Sequence, residues 1–190
     1  QKPTARRYVS KNNLDIARIP KLWQAVPDAH VVVPVREPLQ QAESLHRQHL
    51  RFLELHASDP FARRYMAGIG HFDFGANLKP VDFGGWYGRR ATTDATQLGF
   101  WLEYWVAAYR HVLSHVDHER LHIVGFERLC SNGDLGRLAK CIDVDHAELE
   151  AQRGRLVLPR EHAVDPALLP ASIVEESRQL HRELLQRSVV

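Results

Sequence analysis

Two segments of the chain are apolar almost without interruption. His30-Val31-Val32-Val33-Pro34-Val35 is one, and Leu121-His122-Ile123-Val124-Gly125 is the other. Unbroken apolar runs of this length predict strands buried on both faces, as in a parallel sheet. Pro34 lacks the N–H that a central strand needs, so its position must fall where no neighbour asks for a donor. A third strand is predicted at Arg6-Arg7-Tyr8-Val9-Ser10, ending in the turn-like Lys11-Asn12-Asn13.

Between and around these runs the apolar positions recur at helical spacing. Ile16, Ile19, Leu22, Trp23 and Val26 form one stripe, in which Pro20 predicts a helix start or a kink. Pro38 suits the first turn of a helix reaching His56, with Leu39, Ala42, Leu45, His49, Phe52 and Leu53 turned inward. Asp59 is placed to cap a further helix running to Ile69. Asp94–Val116 carries the strongest stripe, including Leu98, Trp101, Leu102, Trp105, Tyr109 and Val112. Phe126–Leu129 is predicted as a turn, residues 134–142 and 145–152 as short helices, and Ser172–Arg187 as a final helix after a Pro-punctuated stretch at 159–170. Residues 70–93, rich in glycine, predict a long irregular loop, and such loops inside compact domains tend to carry function. Strands alternating with helices predict an α/β fold in one domain spanning 1–190.

Composition narrows the picture. With 190 residues, 44% hydrophobic and 25% charged, the chain has the balance of a globular protein. A net charge of +2 excludes a strongly basic nucleic-acid module read from charge alone. Of 25 cations 20 are arginine, which suits planar oxyanions and equally suits a GC-rich genome. Cys130 and Cys141 make neither a disulfide scaffold nor a Cys-x-x-Cys zinc pair, so two reduced, partly buried thiols are expected. No run reaches the roughly 18 apolar residues of a membrane span, and Gln1–Ser10 has no apolar core of a signal peptide. A cytoplasmic location is the expectation.

The chemistry concentrates after the first apolar run. Arg36 follows the strand end directly, and in open α/β sheets ligands bind at the carboxyl ends of strands. Ser44 lies on the ensuing helix, roughly 9 Å along its axis. The two can meet on one phosphate; the competing reading is a surface pair of Arg36 with Glu37 or Asp28 and an incidental Ser44.

Arg36 followed eight positions later by Ser44 resembles the 3′-phosphate-binding motif of sulfotransferases that use 3′-phosphoadenosine-5′-phosphosulfate (PAPS). Tyr8-Val9-Ser10-Lys11-Asn12-Asn13 resembles the strand-and-Lys element ahead of that motif. Val26-Pro27-Asp28-Ala29-His30-Val31 is similar to the family's turn into the next strand, and His122–Leu129 to its late strand and acidic corner. These pieces frame residues 6–145, with 146–190 a helical C-terminal part. The resemblance implies a P-loop-like parallel sheet flanked by helices, and transfer of a sulfuryl group from PAPS to a hydroxyl or amine of a small-molecule or glycan acceptor. It implies Arg36 and Ser44 on the 3′-phosphate and Lys11 near the reacting groups. Arg153-Gly154-Arg155 resembles the basic Gly motif that closes over the same phosphate, which places Arg153 and Arg155 among the cofactor-binding candidates.

Two departures follow. No Gly-x-x-x-x-Gly-Lys-[Ser/Thr] loop precedes Tyr8, so the first strand and the 5′-phosphosulfate loop are expected to lie outside this chain. The one Gly-rich cluster, Gly84–Arg90, follows no predicted strand and opens no predicted helix. Asn13 stands where many cytosolic members place a catalytic histidine, which leaves His71 and Asp73 as the substrate-side polar candidates. The rival to an enzyme is a non-catalytic nucleotide-binding or partner-docking module of the same fold. A third reading uses His46 with His49, or His111 with His115, as helical metal ligands completed by His118 or His122; no metal is the expectation.

Overall fold

A computed structural model describes residues 7–131 and 133–190. The two apolar runs form strands β1 (Val31–Val35) and β2 (Leu121–Gly125), paired in parallel with Val31 opposite Leu121 and Val35 opposite Gly125. Helices outweigh this small sheet: α1 (Ile19–Ala25), α2 (Pro38–Ser58), α3 (Pro60–Gly68), α4 (Trp86–Arg89) and α5 (Leu98–Leu113) precede or cross between the strands. After β2 come α6 (Phe126–Ser131), α7 (Leu135–Cys141), α8 (His146–Glu150) and α9 (Ala171–Gln186). The chain is α/β and helix-rich. No helix among the described residues is long and apolar enough to cross a membrane.

The core is organised by α5, which is apolar nearly all round because it is covered nearly all round. On one side Trp105, Tyr109 and Val112 pack with Val33, Val35 and Ile123 of the sheet and Leu180 and Leu184 of α9. On another, Phe100, Trp101 and Leu102 pack with Leu39 and Ala42 of α2 and with Phe74, Phe83 and Trp86 of the 70–93 segment. That coverage buries Phe100 and Val106, which a single helical stripe left outside.

Several sequence expectations change. The two strands are not equivalent. All of β2 is buried, because the C-terminal tail runs along its second edge, with Val189 N–H donating to Ile123 O (2.9 Å) and Gly125 N–H to Ser188 Oγ (2.9 Å). In β1 only Val33 and Val35 are buried, while Val32 remains 41% exposed. The Val32–Pro34 face therefore contradicts burial on both faces. Pro34 is tolerated because, among the described residues, β1 pairs only with β2, and its second edge has no ladder that needs the missing donor.

The strand expected at 6–10 is absent from residues 7–10, which are irregular and exposed; Arg6 lies outside the described residues. A short strand with no neighbour to pair with does not persist on β-propensity alone. Phe126–Leu129 is not a turn but the start of α6, since nothing between Gly125 and Ser131 interrupts helical hydrogen bonding. Gly84–Arg90 does open a helix, the four-residue α4, entered through Gly84 and Gly85 at φ 58° and 77°. Both lie in the left-handed region that only glycine occupies freely.

Candidate functional site

The carboxyl ends of β1 and β2 lie side by side, so the residues that follow them are brought together: Arg36 and Glu37 from one strand, Phe126 and Glu127 from the other. Glu37 caps α2, its carboxylate accepting from Gln40 N–H (2.7 Å). Glu127 reaches across to accept Glu37 N–H at 3.1 Å. The Arg36 guanidinium lies 5.7 Å from the centre of the Phe126 ring, and its Nε is buried without a hydrogen-bond partner.

The two acids offered as surface partners for Arg36 are engaged elsewhere. Asp28 pairs with Arg120 (2.6 Å), and Glu37 serves its own helix. A half-buried arginine donor with no acceptor is costly, and an incoming oxyanion relieves that cost.

Along α2, Glu37, Gln40, Gln41 and Ser44 recur at i, i+3, i+4 and i+7 and share one face. Gln41 Oε1 accepts the Trp105 indole N–H (3.1 Å) and lies 3.3 Å from the Tyr109 hydroxyl. That hydroxyl donates to Pro34 O at 2.8 Å. Burial pushes the Tyr109 phenol up to about 12, so it stays a donor throughout the physiological range. Tyr109→Phe is expected to lower stability by about 1–2 kcal/mol by orphaning the Pro34 carbonyl, measurable by urea unfolding.

Gln40 holds the backbone of His162 through both amide atoms (3.0 and 2.7 Å), drawing the Pro-punctuated stretch across α2 near its start. From α9, His181 presents a buried, unpartnered Nε2. Burial lowers the pKa of this imidazole, while Glu127 and Glu37 pull it back up and Arg128 opposes them. Burial raises the Cys130 thiol, with Glu127 adding to the shift and Arg36 opposing it. The strand ends thus gather one unpartnered arginine donor, two carboxylates and an imidazole, and an oxyanion bound by Arg36 must offset the charge of Glu37 and Glu127.

The other sequence candidates are placed as follows. Ser44 is half-buried, about 9 Å along α2 from its first residue. Lys11 is exposed on the irregular N-terminal segment. His71 stacks on Phe52 with ring centroids 5.5 Å apart, and Phe52 is about 21 Å along α2 from its start. Asp73 follows two residues after His71, and its charge adds slightly to the burial that raises the Tyr104 phenol of α5. His71 and Asp73 thus line the far end of α2, away from Arg36.

Arg153 is committed to the C-terminal part, pairing with Glu150 (Nη2 to Oε2, 2.9 Å) and donating to Gly133 O (3.0 Å). Arg155 is exposed. Cys130 and Cys141 are free and half-buried.

The histidine pairs do not converge on a metal. His49 is buried, its Nδ1 accepting Gly75 N–H (3.1 Å), and His46 bonds to Thr96 O (2.8 Å). His118 stacks on Trp23 at 3.5 Å and His122 meets His30 at 2.9 Å, so neither completes the His111–His115 pair. Among the described residues no group of three or more His, Cys, Asp or Glu is placed to hold a metal ion.

Sequence reasoning took Glu127, in the acidic corner after the second apolar run, as structural, and missed Gln40, Gln41 and His181. Glu127 is the second residue beyond β2, where Arg36 is the first beyond β1. The other three become visible only when α2, α5 and α9 are packed. No family model, no curated protein and no solved structure matches the chain.

Proposed function

We propose that the chain is the 3′-phosphate-binding part of a PAPS-dependent sulfotransferase with a P-loop-like fold, acting in the cytoplasm on a hydroxyl or amine of a small-molecule or glycan acceptor. The observation that carries the reading is the unpartnered Nε of Arg36 at the carboxyl edge of a parallel sheet. Arg36 and Ser44 hold the 3′-phosphate, Arg36 as a fork and Ser44 as a hydroxyl donor from α2.

PAPS supplies the sulfuryl group as a phosphosulfate anhydride. What the chain supplies is grip and charge compensation, which dominate transfers of this kind. In this reading Lys11, exposed on the N-terminal segment, lines the reaction centre. The 5′-phosphosulfate end finds no glycine-rich cradle after a strand among the described residues, because Gly84 and Gly85 serve α4 instead. Arg153, held by Glu150 through Nε and Nη2 with its Nη1 unpartnered, and the exposed Arg155 are the further candidates for the same phosphate.

A second reading is favoured by the separation of His71 and Asp73 from Arg36. It is a module that binds a nucleotide or a partner without turnover.

Calorimetry tests the first step common to both. 3′,5′-Adenosine bisphosphate is expected to bind tenfold to a hundredfold more tightly than 5′-AMP, the worth of about one charge-assisted contact. Arg36→Ala should erase the preference. Equal binding of the two nucleotides, or an Arg36→Ala variant that keeps the preference, removes the nucleotide reading altogether. If the preference holds, sulfuryl transfer from PAPS to a panel of hydroxyl and amine acceptors separates enzyme from module.

A further inference from the structure

The glycine–arginine segment 84–90 plays no part in the reading above, yet it borders a cleft of about 580 Å³ between α4, α5 and α9. We infer that this cleft is a binding site for a small amphipathic anion, a flat or aliphatic body carrying a carboxylate, sulfonate, sulfate or phosphate head.

Its volume lies within the range of small-molecule sites, and it is too small for a folded partner. Phe83, Trp86, Val106 and Ile173 supply apolar surface, while Arg89, Arg90 and Arg110 supply the cations. The body of the ligand gains from the first group and its head from the second.

Charge accounting decides the sign of the head. Two carboxylates, Glu103 and Glu176, also line the cleft. Glu103 accepts the backbone N–H groups of Ala91 and Thr92, both at 2.9 Å, and keeps its charge, so three arginines against two carboxylates leave the lining at +1. Glu176 pairs with Arg110 at 2.6 Å. Neither carboxylate is engaged by Arg89 or Arg90. Arg89 donates to Gly84 O (2.7 Å), and Arg90 lies over the Tyr87 ring at 3.6 Å with its Nε buried and unpartnered. His111 adds a second buried, unpartnered nitrogen, Nε2, to the cleft lining.

The left-handed glycines make the arrangement possible. They turn the chain sharply into α4, whose single turn ends at Arg89, with Arg90 extended directly after it. A Cβ on Gly85 would stand 2.9 Å from Arg89 Nη1, so glycine there also makes room for the guanidinium. The inference is independent of the nucleotide reading. The cleft uses Glu103, Ala107 and Arg110, on the face of α5 opposite Trp105 and Tyr109, and does not include Arg36.

The test uses the whole chain and two matched probes: 8-anilinonaphthalene-1-sulfonate and its uncharged relative N-phenyl-1-naphthylamine, titrated by fluorescence. The sulfonate is expected to bind one per chain, at least tenfold more tightly than the neutral probe, and more weakly as salt rises. Inorganic phosphate, a head without a body, should compete only at much higher concentration.

The double variant Arg89→Ala/Arg90→Ala should abolish the preference for the sulfonate while keeping the neutral probe. Ala107→Trp, which fills the cleft, should block both. Equal affinity for the two probes, several sulfonates per chain, phosphate competing as well as the sulfonate itself, or a double variant that still prefers the sulfonate would each overturn the inference. Because the probe comparison needs no substitution, it decides the matter even where a variant fails to fold.

Discussion

Trp105→Ala is expected to lower the stability of the chain by about 3–5 kcal/mol, a large share of the ~5–15 kcal/mol that a domain commands. Trp105 is 2% exposed and packs between the sheet and α9, with its ring centroid 4.5 Å from that of Tyr109. Its indole N–H also donates to Gln41 on α2. Truncation therefore opens a cavity where α5 joins three other elements, and takes a donor from a part-buried amide oxygen. Trp105→Phe keeps most of the apolar volume and should cost distinctly less. Urea unfolding reads both, as a lowered midpoint with an unchanged slope. A loss below about 1 kcal/mol for the alanine variant would mean that Trp105 does not hold these layers together.

Mild acid is expected to destabilise the fold from pH 6.5 downward. Burial lowers the pKa of His49, His111, His122 and His181 below their ordinary value of 6.5. Like-charge neighbours reinforce this for three of them: His46 beside His49, His115 beside His111, and His30 beside His122. Asp94 opposes the shift at His49. The unfolded chain takes up these protons near pH 6.5 and the folded chain only at lower pH, so between those limits the unfolded state binds more protons. Stability is full above pH 6.5, falls as pH drops through that window, and levels off once the folded histidines are also charged. Each histidine can tilt the curve by at most about 1.4 kcal/mol per pH unit.

A local release should accompany the loss. His49 Nδ1 accepts Gly75 N–H and His56 Nδ1 accepts Ala76 N–H, both at 3.1 Å. A protonated imidazole has no lone pair to offer. Hydrogen exchange at the Gly75 amide, held by His49, should therefore lose protection as the pH falls below 6.5, ahead of the amides of α5. A flat stability profile across that range, or unaltered protection at Gly75, would count against His49 as a neutral acceptor.

How much of this was legible in the sequence depends on the reach of the interaction. The strands β1 and β2, the helices α2, α3 and α9 and the cap at Asp59 are written in local pattern, because an apolar run, a helical stripe or a capping carboxylate acts within a few residues. Arg36 was legible for the same reason, being the residue directly beyond a buried run. The strand at 7–10 and the turn at 126–129 were misread because each needed knowledge of a neighbour: a pairing partner that residues 7–10 lack, and a helix that continues unbroken from β2. The separation of His71 and Asp73 from Arg36 follows from the length of α2, which sequence order alone does not turn into distance.

The sequence by itself determined the α/β class, the positions of the two strands, the helical stripes and the cation at the strand end, since each rests on side-chain chemistry repeated at short range. Tertiary structure alone decided that β1 stays open on one face while the C-terminal tail closes β2. It also decided that Asp28 pairs with Arg120 and not with Arg36, that Gln40 reaches His162 across 122 residues, and that Arg89 and Arg90 stand at the edge of an apolar cleft. Those outcomes depend on which surfaces meet once the helices close around α5, and a charge or an amide finds its partner only after that packing has fixed who is near.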